Sequence, residues 1–313
     1  MRRRELSRHD REDAPEMALV SALRTLLTGI VDYAGLFPPA TLNMTSAVQE
    51  YATSRSGPDA WMLGRFVVPA TRLDELDRAR EALTPEERSG WRVSALLGED
   101  VEADLARVDA FNAAHAGDSR VDSVEAKLTS PSAVARAAEM IAKRYSLFVE
   151  IPVKSDPASL ISAIDEWGAT AKIRTGGLTQ EAFPPAPALI RFIRRCIESK
   201  VPFKATAGLH HPLPAEYKLS YEPDAPRGKM FGFLNVFLAS AFMRVGMDDR
   251  DALRLLDDGD RASFKVDART IRWRDYTLTS DQVADARKTL AVSFGSCSFR
   301  EPVQELAALG IAS

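Results

Sequence analysis

Two lysines define the chemistry this chain can attempt. Ala171-Lys172-Ile173-Arg174-Thr175-Gly176-Gly177 places an amine and a guanidinium two residues apart in a run that stops at paired glycines. Val201-Pro202-Phe203-Lys204-Ala205-Thr206-Ala207-Gly208-Leu209-His210-His211 is a near echo of it further along. Side chains at i and i+2 of a strand share a face, so Lys172 and Arg174 point the same way, and the glycines admit a ligand close to the backbone. A lysine attacks a carbonyl only as the neutral amine, and an unperturbed pKa near 10.4 leaves roughly 0.04% of it neutral at pH 7. Parallel strands lie about 4.8 Å apart, so Lys172, Lys204 and Arg174 at equal heights would repel one another, and burial would act in the same direction. A fall of about three units would raise the neutral fraction roughly a thousandfold. The imine nitrogen is then an electron sink, and a carboxylate such as Glu125, or a water it holds, can move the proton that accompanies carbon–carbon cleavage.

The same residues admit other uses. Two strand-end lysines can bind an anion as fixed charges. Arg174 either pairs with Glu150 or Glu125 across the sheet or clamps a substrate carboxylate or phosphate. His210 and His211, with Glu125, Glu150 and Asp32, offer metal-ligand types, but adjacent histidines diverge and neither H-x-H nor H-E-x-x-H spacing occurs. Gly176, Gly177, Gly208 and Gly295 are turn glycines or backbone N–H groups for an oxyanion. Cys297 reads as a small inert residue.

The elements that must position these groups alternate in type. Strand-like runs are expected over 29–40 (with its turn), 63–69, 92–98, 121–128, 147–153, 171–177, 201–211 and 291–299. Helices are expected over 17–27, 46–54, 72–83, 101–115, from Ser130-Pro131 to 143, after Asp156-Pro157, and over 188–199, with a short one ending at 309. Nearly continuous apolar strands, each followed by a helix, indicate a parallel sheet covered on both faces. Eight such units with polar residues at strand ends predict a (β/α)8 TIM barrel over 17–313, its site at the C-terminal mouth. The eighth strand is delayed by an insertion over 212–290: a Pro-rich loop to 227, an apolar helix over 230–243, a helix over 249–256, a hairpin over 264–278, and a helix to 290 capped by Ser280. The segment 230–243 has no charged residue. As a helix it spans roughly 21 Å against the ~30 Å of a bilayer core, so it is expected in the core or as a homo-oligomer contact. The insertion is expected over or beside the mouth.

With 313 residues, 45% of them hydrophobic, one large barrel is affordable in core volume. A net charge of −3 gives no reason to expect nucleic acid. Two cysteines, Cys196 and Cys297, suggest neither a disulfide framework nor a Cys-based zinc site, which favours a reducing cytoplasm. Arg2-Arg3-Arg4 is followed by acidic residues rather than an apolar run, so residues 1–16 read as a solvated, disordered tail.

Four stretches, in order, resemble the deoxyribose-phosphate aldolase family, class I aldolases on a TIM barrel. They are Val31-Asp32-Tyr33-Ala34-Gly35-Leu36-Phe37-Pro38-Pro39-Ala40-Thr41, Lys172-Ile173-Arg174-Thr175-Gly176, Lys204-Ala205-Thr206-Ala207-Gly208-Leu209-His210 and Ser293-Phe294-Gly295-Ser296-Cys297-Ser298. Val121 to Lys127 is a weaker fifth. The resemblance implies Lys172 as the Schiff-base lysine, Lys204 as its tuning neighbour, Glu125 as proton-relay carboxylate and Asp32 as a supporting one. Substrate contacts are expected from Glu150, Arg174, Thr175, Gly176, Gly177, Thr206, Gly208, His210, His211, Gly295, Ser296 and Ser298, with no metal and no cofactor. Tyr33 replaces a family histidine, Arg174 a small hydroxyl and Cys297 a serine, and the insertion has no counterpart. The departures fall on anion recognition more than on the lysines. The expected activity is therefore a Schiff-base carbon–carbon lyase for a small anionic carbonyl compound. A barrel isomerase or metal-assisted hydrolase using the same pocket, and a non-catalytic ligand-binding or scaffold protein, are the alternatives.

Overall fold

The computed structural model describes residues 21–115 and 118–310. The tail expected over 1–16, and the start of the helix expected from 17, lie outside the described residues. Seven strands follow in turn: β1 (Val31–Tyr33), β2 (Leu63–Pro69), β3 (Trp91–Leu96), β4 (Ser119–Lys127), β5 (Ser146–Glu150), β6 (Thr170–Arg174) and β7 (Phe203–Thr206). The chain then forms β8 (Ala215–Lys218) and β9 (Arg227–Met230), followed by β10 (Phe264–Val266), β11 (Thr270–Trp273) and β12 (Tyr276–Thr279). Finally β13 (Ala291–Ser296) enters between β7 and β1 and closes the barrel. All eight barrel pairings are parallel. The chain is a (β/α)8 TIM barrel.

The local rules behind it are ordinary. Barrel strands are buried on both faces, as the consecutive residues Phe66, Val67 and Val68 on β2 and Leu147, Phe148 and Val149 on β5 illustrate, and such strands need continuous apolar sequence. Helix starts are set by side chains that satisfy free N–H groups. Ser130 Oγ accepts from Ala133 N at 3.2 Å ahead of Pro131–Ile141, and Asp156 Oδ1 accepts from Ala158 N at 3.1 Å. Before Ser280–Thr289 the cap is Thr279, in a reciprocal box with Gln282, and not the expected Ser280.

The segment 212–290 differs from expectation in three ways. Part of the Pro-rich loop pairs as the antiparallel β8–β9 hairpin. The expected hairpin over 264–278 is a three-stranded meander. The apolar helix, Phe233–Arg244, is not an addition beside the barrel but serves as its seventh outer helix: Phe233 stacks on Phe294 of β13 at 5.2 Å between ring centres, and Phe237 lies at 5.9 Å. Because Phe233 through Met243 are all buried within the chain, this helix offers no homo-oligomer contact. The β8–β9 hairpin and its loop lie beside the mouth, where Lys218, Leu219, Tyr221 and Met230 face the turns at Gly177 and Gly208. Phe233→Ala should therefore destabilise the barrel by about 3–5 kcal/mol, the usual cost of emptying a buried phenylalanine site, read as a lowered denaturant midpoint. Among the described residues no helix is long and apolar enough to cross a membrane.

Register fixes the site. Lys172 on β6 is level with Lys204 on β7 and, on its other side, with Glu150 on β5; Ser293 on β13 is also level with Lys204. The equal height of the lysines is as the sequence predicts.

Candidate active site

Six charged side chains from five strands, β1, β7, β6, β5 and β4, with β13 interposed between β1 and β7, alternate in sign across the inside of the barrel. Lys204 Nζ lies 2.6 Å from Asp32 Oδ2 and 2.7 Å from Glu125 Oε1. Lys172 Nζ lies 2.7 Å from Glu125 Oε2 and 3.0 Å from Glu150 Oε2. Arg174 Nε ends the series at 3.2 Å from Glu150 Oε1. Both lysines and all three carboxylates are buried; the Arg174 side chain is half exposed at the rim. Three cations face three carboxylates, which is how buried charge is tolerated.

This corrects one expectation. The lysines were expected to meet as like charges, but Glu125 bridges them, one oxygen to each. Burial pushes the Glu125 pKa up, but Lys172 and Lys204 outweigh it and hold the carboxyl well below its usual range. Burial works against the Lys204 ammonium, yet Asp32 and Glu125 prevail and raise its pKa. Asp32 and Glu125 thus favour the ammonium form of Lys204, whose Nζ also lies 5.4 Å from the centre of the Phe148 ring. Glu150 is likewise lowered: burial opposes, and Lys172 and Arg174 win.

Two serines lock the carboxylates. Ser94 Oγ donates to Glu125 Oε1 at 2.7 Å and Ser293 Oγ to Asp32 Oδ2 at 2.8 Å, while the Arg65 backbone N–H donates to Asp32 Oδ1 at 2.7 Å. Ser94 has no signal in the sequence beyond a hydroxyl within an apolar strand, and Ser293, although it opens the last of the four stretches that resemble the aldolase family, was not assigned a role.

Above these groups, at the C-terminal ends of the strands, opens a cavity of about 250 Å³. Glu125, Lys172, Lys204, Arg174, Thr206 and His210 supply its polar wall, with Gly177 and Gly295 at its turns. Phe37, Val67, Leu96 and Leu178 supply an apolar wall that sequence reasoning did not identify. Burial disfavours charge on His210, but contact with Cys297 and Glu301 outweighs it and raises the pKa well above the ordinary value. Arg174 and His210 both line this cavity, each beside a carboxylate, Glu150 and Glu301.

Other expected contacts lie elsewhere. Thr175 Oγ1 donates to the Ala207 carbonyl at 2.5 Å and ties β6 to the turn after β7. Gly176 and Gly208 face each other so closely that a Cβ on either would stand 2.7 Å from the other's Cα, and Gly208 has φ +74°; these glycines serve turn packing. Glu150 is occupied by Lys172 and Arg174. Ser298 Oγ accepts from Glu301 N at 3.1 Å, and Ser296 Oγ lies 3.4 Å from His210 Nδ1. His211 diverges from His210 and meets Glu305. The set His210, His211, Glu125, Glu150 and Asp32 is therefore not assembled round one point. Tyr33, at the family's histidine position, turns away from the cavity and donates to Glu50 at 2.8 Å.

Comparison with family models, curated proteins and solved structures finds no match. What the fold and site define is a TIM barrel with an alternating lysine–carboxylate array at its C-terminal mouth.

Proposed function

We propose that the protein is a class I, Schiff-base carbon–carbon lyase of the aldolase kind, acting on a small anionic carbonyl compound. The observation that carries this reading is the setting of Lys172 Nζ, between Glu125 and Glu150 and open to a cavity with an apolar wall. Such a setting stabilises a cation at that nitrogen. An ammonium is one such cation; the iminium formed after attack on a carbonyl is another, so the charge balance of the resting site is restored in the intermediate. Lys172 gives a proton to Glu150 or Glu125, attacks the carbonyl carbon, and water leaves as the carbinolamine becomes the iminium. The carbon–carbon bond then breaks with its electron pair moving to the iminium. A carboxylate or a water it holds takes the hydroxyl proton, the enamine is reprotonated, and hydrolysis frees Lys172. Lys204, held cationic, balances Glu125 while Lys172 is neutral.

The test is borohydride trapping with aldehydes, ketoacids and their phosphates, read by intact mass. One adduct per chain supports the reading; no adduct with any carbonyl leaves a fixed-charge anion pocket, which the full pairing of the ammonium groups also suits.

Arg174 is assigned to substrate selection. Its Nε rests on Glu150, and its side chain is half exposed at the rim, so the remaining guanidinium N–H groups can take a carboxylate or phosphate. Arg174→Ala should weaken substrate binding by roughly 1.5–3 kcal/mol, seen mainly in KM. Arg174→Lys should restore little, because the fork is lost. Loss of turnover at unchanged KM would remove the assignment.

A further inference from the structure

We propose that His211, Glu301 and Glu305 form a site for one divalent transition-metal ion, beside the lysine cavity and distinct from it. One ligand atom from each residue lies within 4.8 Å of the other two. His211 Nδ1 is 2.8 Å from each oxygen of Glu305. Ligand atoms bonded at about 2.1 Å to a zinc-sized ion lie roughly 3.0–3.4 Å apart, so this pair is close to chelating separation, and with every separation within 4.8 Å Glu301 need close in by no more than about 1.5–2 Å.

Two carboxylates here face one cationic imidazole, His210, which leaves one negative charge uncompensated. Glu301 and Glu305 stand four residues apart on the helix Arg300–Ala308, where like charges face one another at a cost. Their only ion-pair partners among the described residues are His210 and His211; no lysine or arginine bridges either carboxylate. The ligands are also held from behind. Glu301 Oε2 accepts from Tyr221 Oη at 3.1 Å and lies 3.2 Å from His210 Nδ1. The His211 ring stacks on Tyr217 at 3.4 Å and 10°, and Tyr217 Oη donates to the Leu213 carbonyl at 3.0 Å. Such outer contacts orient metal ligands.

One imidazole with two carboxylates suits Mn²⁺, Fe²⁺, Co²⁺ or Zn²⁺ better than Ca²⁺ or Mg²⁺. Both glutamates line a cavity of about 460 Å³, which shares Cys297 with the lysine cavity. The remaining coordination positions therefore face a space large enough for an oxygen ligand.

The full chain, stripped with EDTA and dialysed, is titrated with Mn²⁺ and separately with Zn²⁺ by calorimetry, with Mn²⁺ paramagnetic resonance as a second readout. One ion per chain is expected, with affinity reduced at least tenfold in Glu305→Gln and in His211→Asn, and retained in Cys297→Ser. Near-ultraviolet circular dichroism in EDTA establishes that each variant is folded, and Glu301→Gln substitutes for any that is not. No binding of either ion, wild-type affinity in the ligand variants, or loss in Cys297→Ser alone would overturn the site. None of these readouts depends on an adduct at Lys172, so this proposal and the lyase reading fail separately.

Discussion

Lys172→Ala should abolish reductive trapping at every pH, whereas Lys204→Met should leave an adduct that forms only at higher pH. The two lysines share Glu125 but differ in what else holds them. Lys204 is the more deeply enclosed, gripped by Asp32 at 2.6 Å and by Glu125, and its pKa is raised. Asp32 is in turn fixed by Ser293 and the Arg65 backbone. Lys172 has its longer contact, 3.0 Å, with a Glu150 that Arg174 also engages. Removing Lys204 leaves Glu125 with Lys172 as its sole counter-ion, so Lys172 gives up its proton less readily. At roughly 5 Å separation and an effective dielectric near 20 the lost repulsion is about 3 kcal/mol. An upward movement of about two pH units in the adduct midpoint is expected, since about 1.4 kcal/mol corresponds to each unit. Peptide mapping decides the assignment: a label on the Lys204 peptide, or full labelling of Lys172→Ala, would transfer the nucleophile's role or dissolve it.

The barrel was legible because its strands are buried on both faces and therefore read as apolar runs; β2 has the expected bounds, 63–69. The level lysines followed from similar positions in consecutive strands. What the sequence concealed is the charge order. Lys204 and Glu125 are 79 residues apart, and spacing within one strand carries no information about which strands face each other across a closed barrel. Repulsion was therefore expected where an interposed carboxylate is found. Ser94 and Ser293 escaped notice for the same reason: a hydroxyl in an apolar strand acquires meaning only from the carboxylate opposite. The β8–β9 hairpin was hidden because its strands, Ala215–Lys218 and Arg227–Met230, have four residues each, too short for their alternation to stand out in a Pro-rich loop. The divergence of His210 and His211 was readable from their adjacency. The glutamates they meet were not, because these come from the last helix.

Glu125→Gln should have the opposite sign to Lys204→Met, and this contrast is the sharper test of the array. The amide keeps the shape of the side chain but removes the charge that separates two buried ammonium groups. Leaving them without their shared partner should cost about 3–5 kcal/mol of stability, the usual consequence of deleting one member of a buried ion group. Repulsion from Lys204 then favours the neutral amine at Lys172, so whatever adduct forms should appear one to two pH units lower than in the wild type. On the proposed lyase reading, turnover should nevertheless fall by roughly 10²–10⁴, because the carboxylate assigned to move the proton during cleavage is gone. Stability carries an independent signature. The folded-state pKa of Glu125 is depressed below its unfolded value, so its contribution is complete above about pH 4.3 and is lost as the pH falls through the folded value. Glu125→Gln should therefore show most of its destabilisation near neutrality and progressively less in acid, with a flatter acid limb in a plot of unfolding free energy against pH. An adduct midpoint displaced upward, or left in place, would mean that Glu125 does not set the charge state of Lys172, and the lysines would then be independent anchors for an anion.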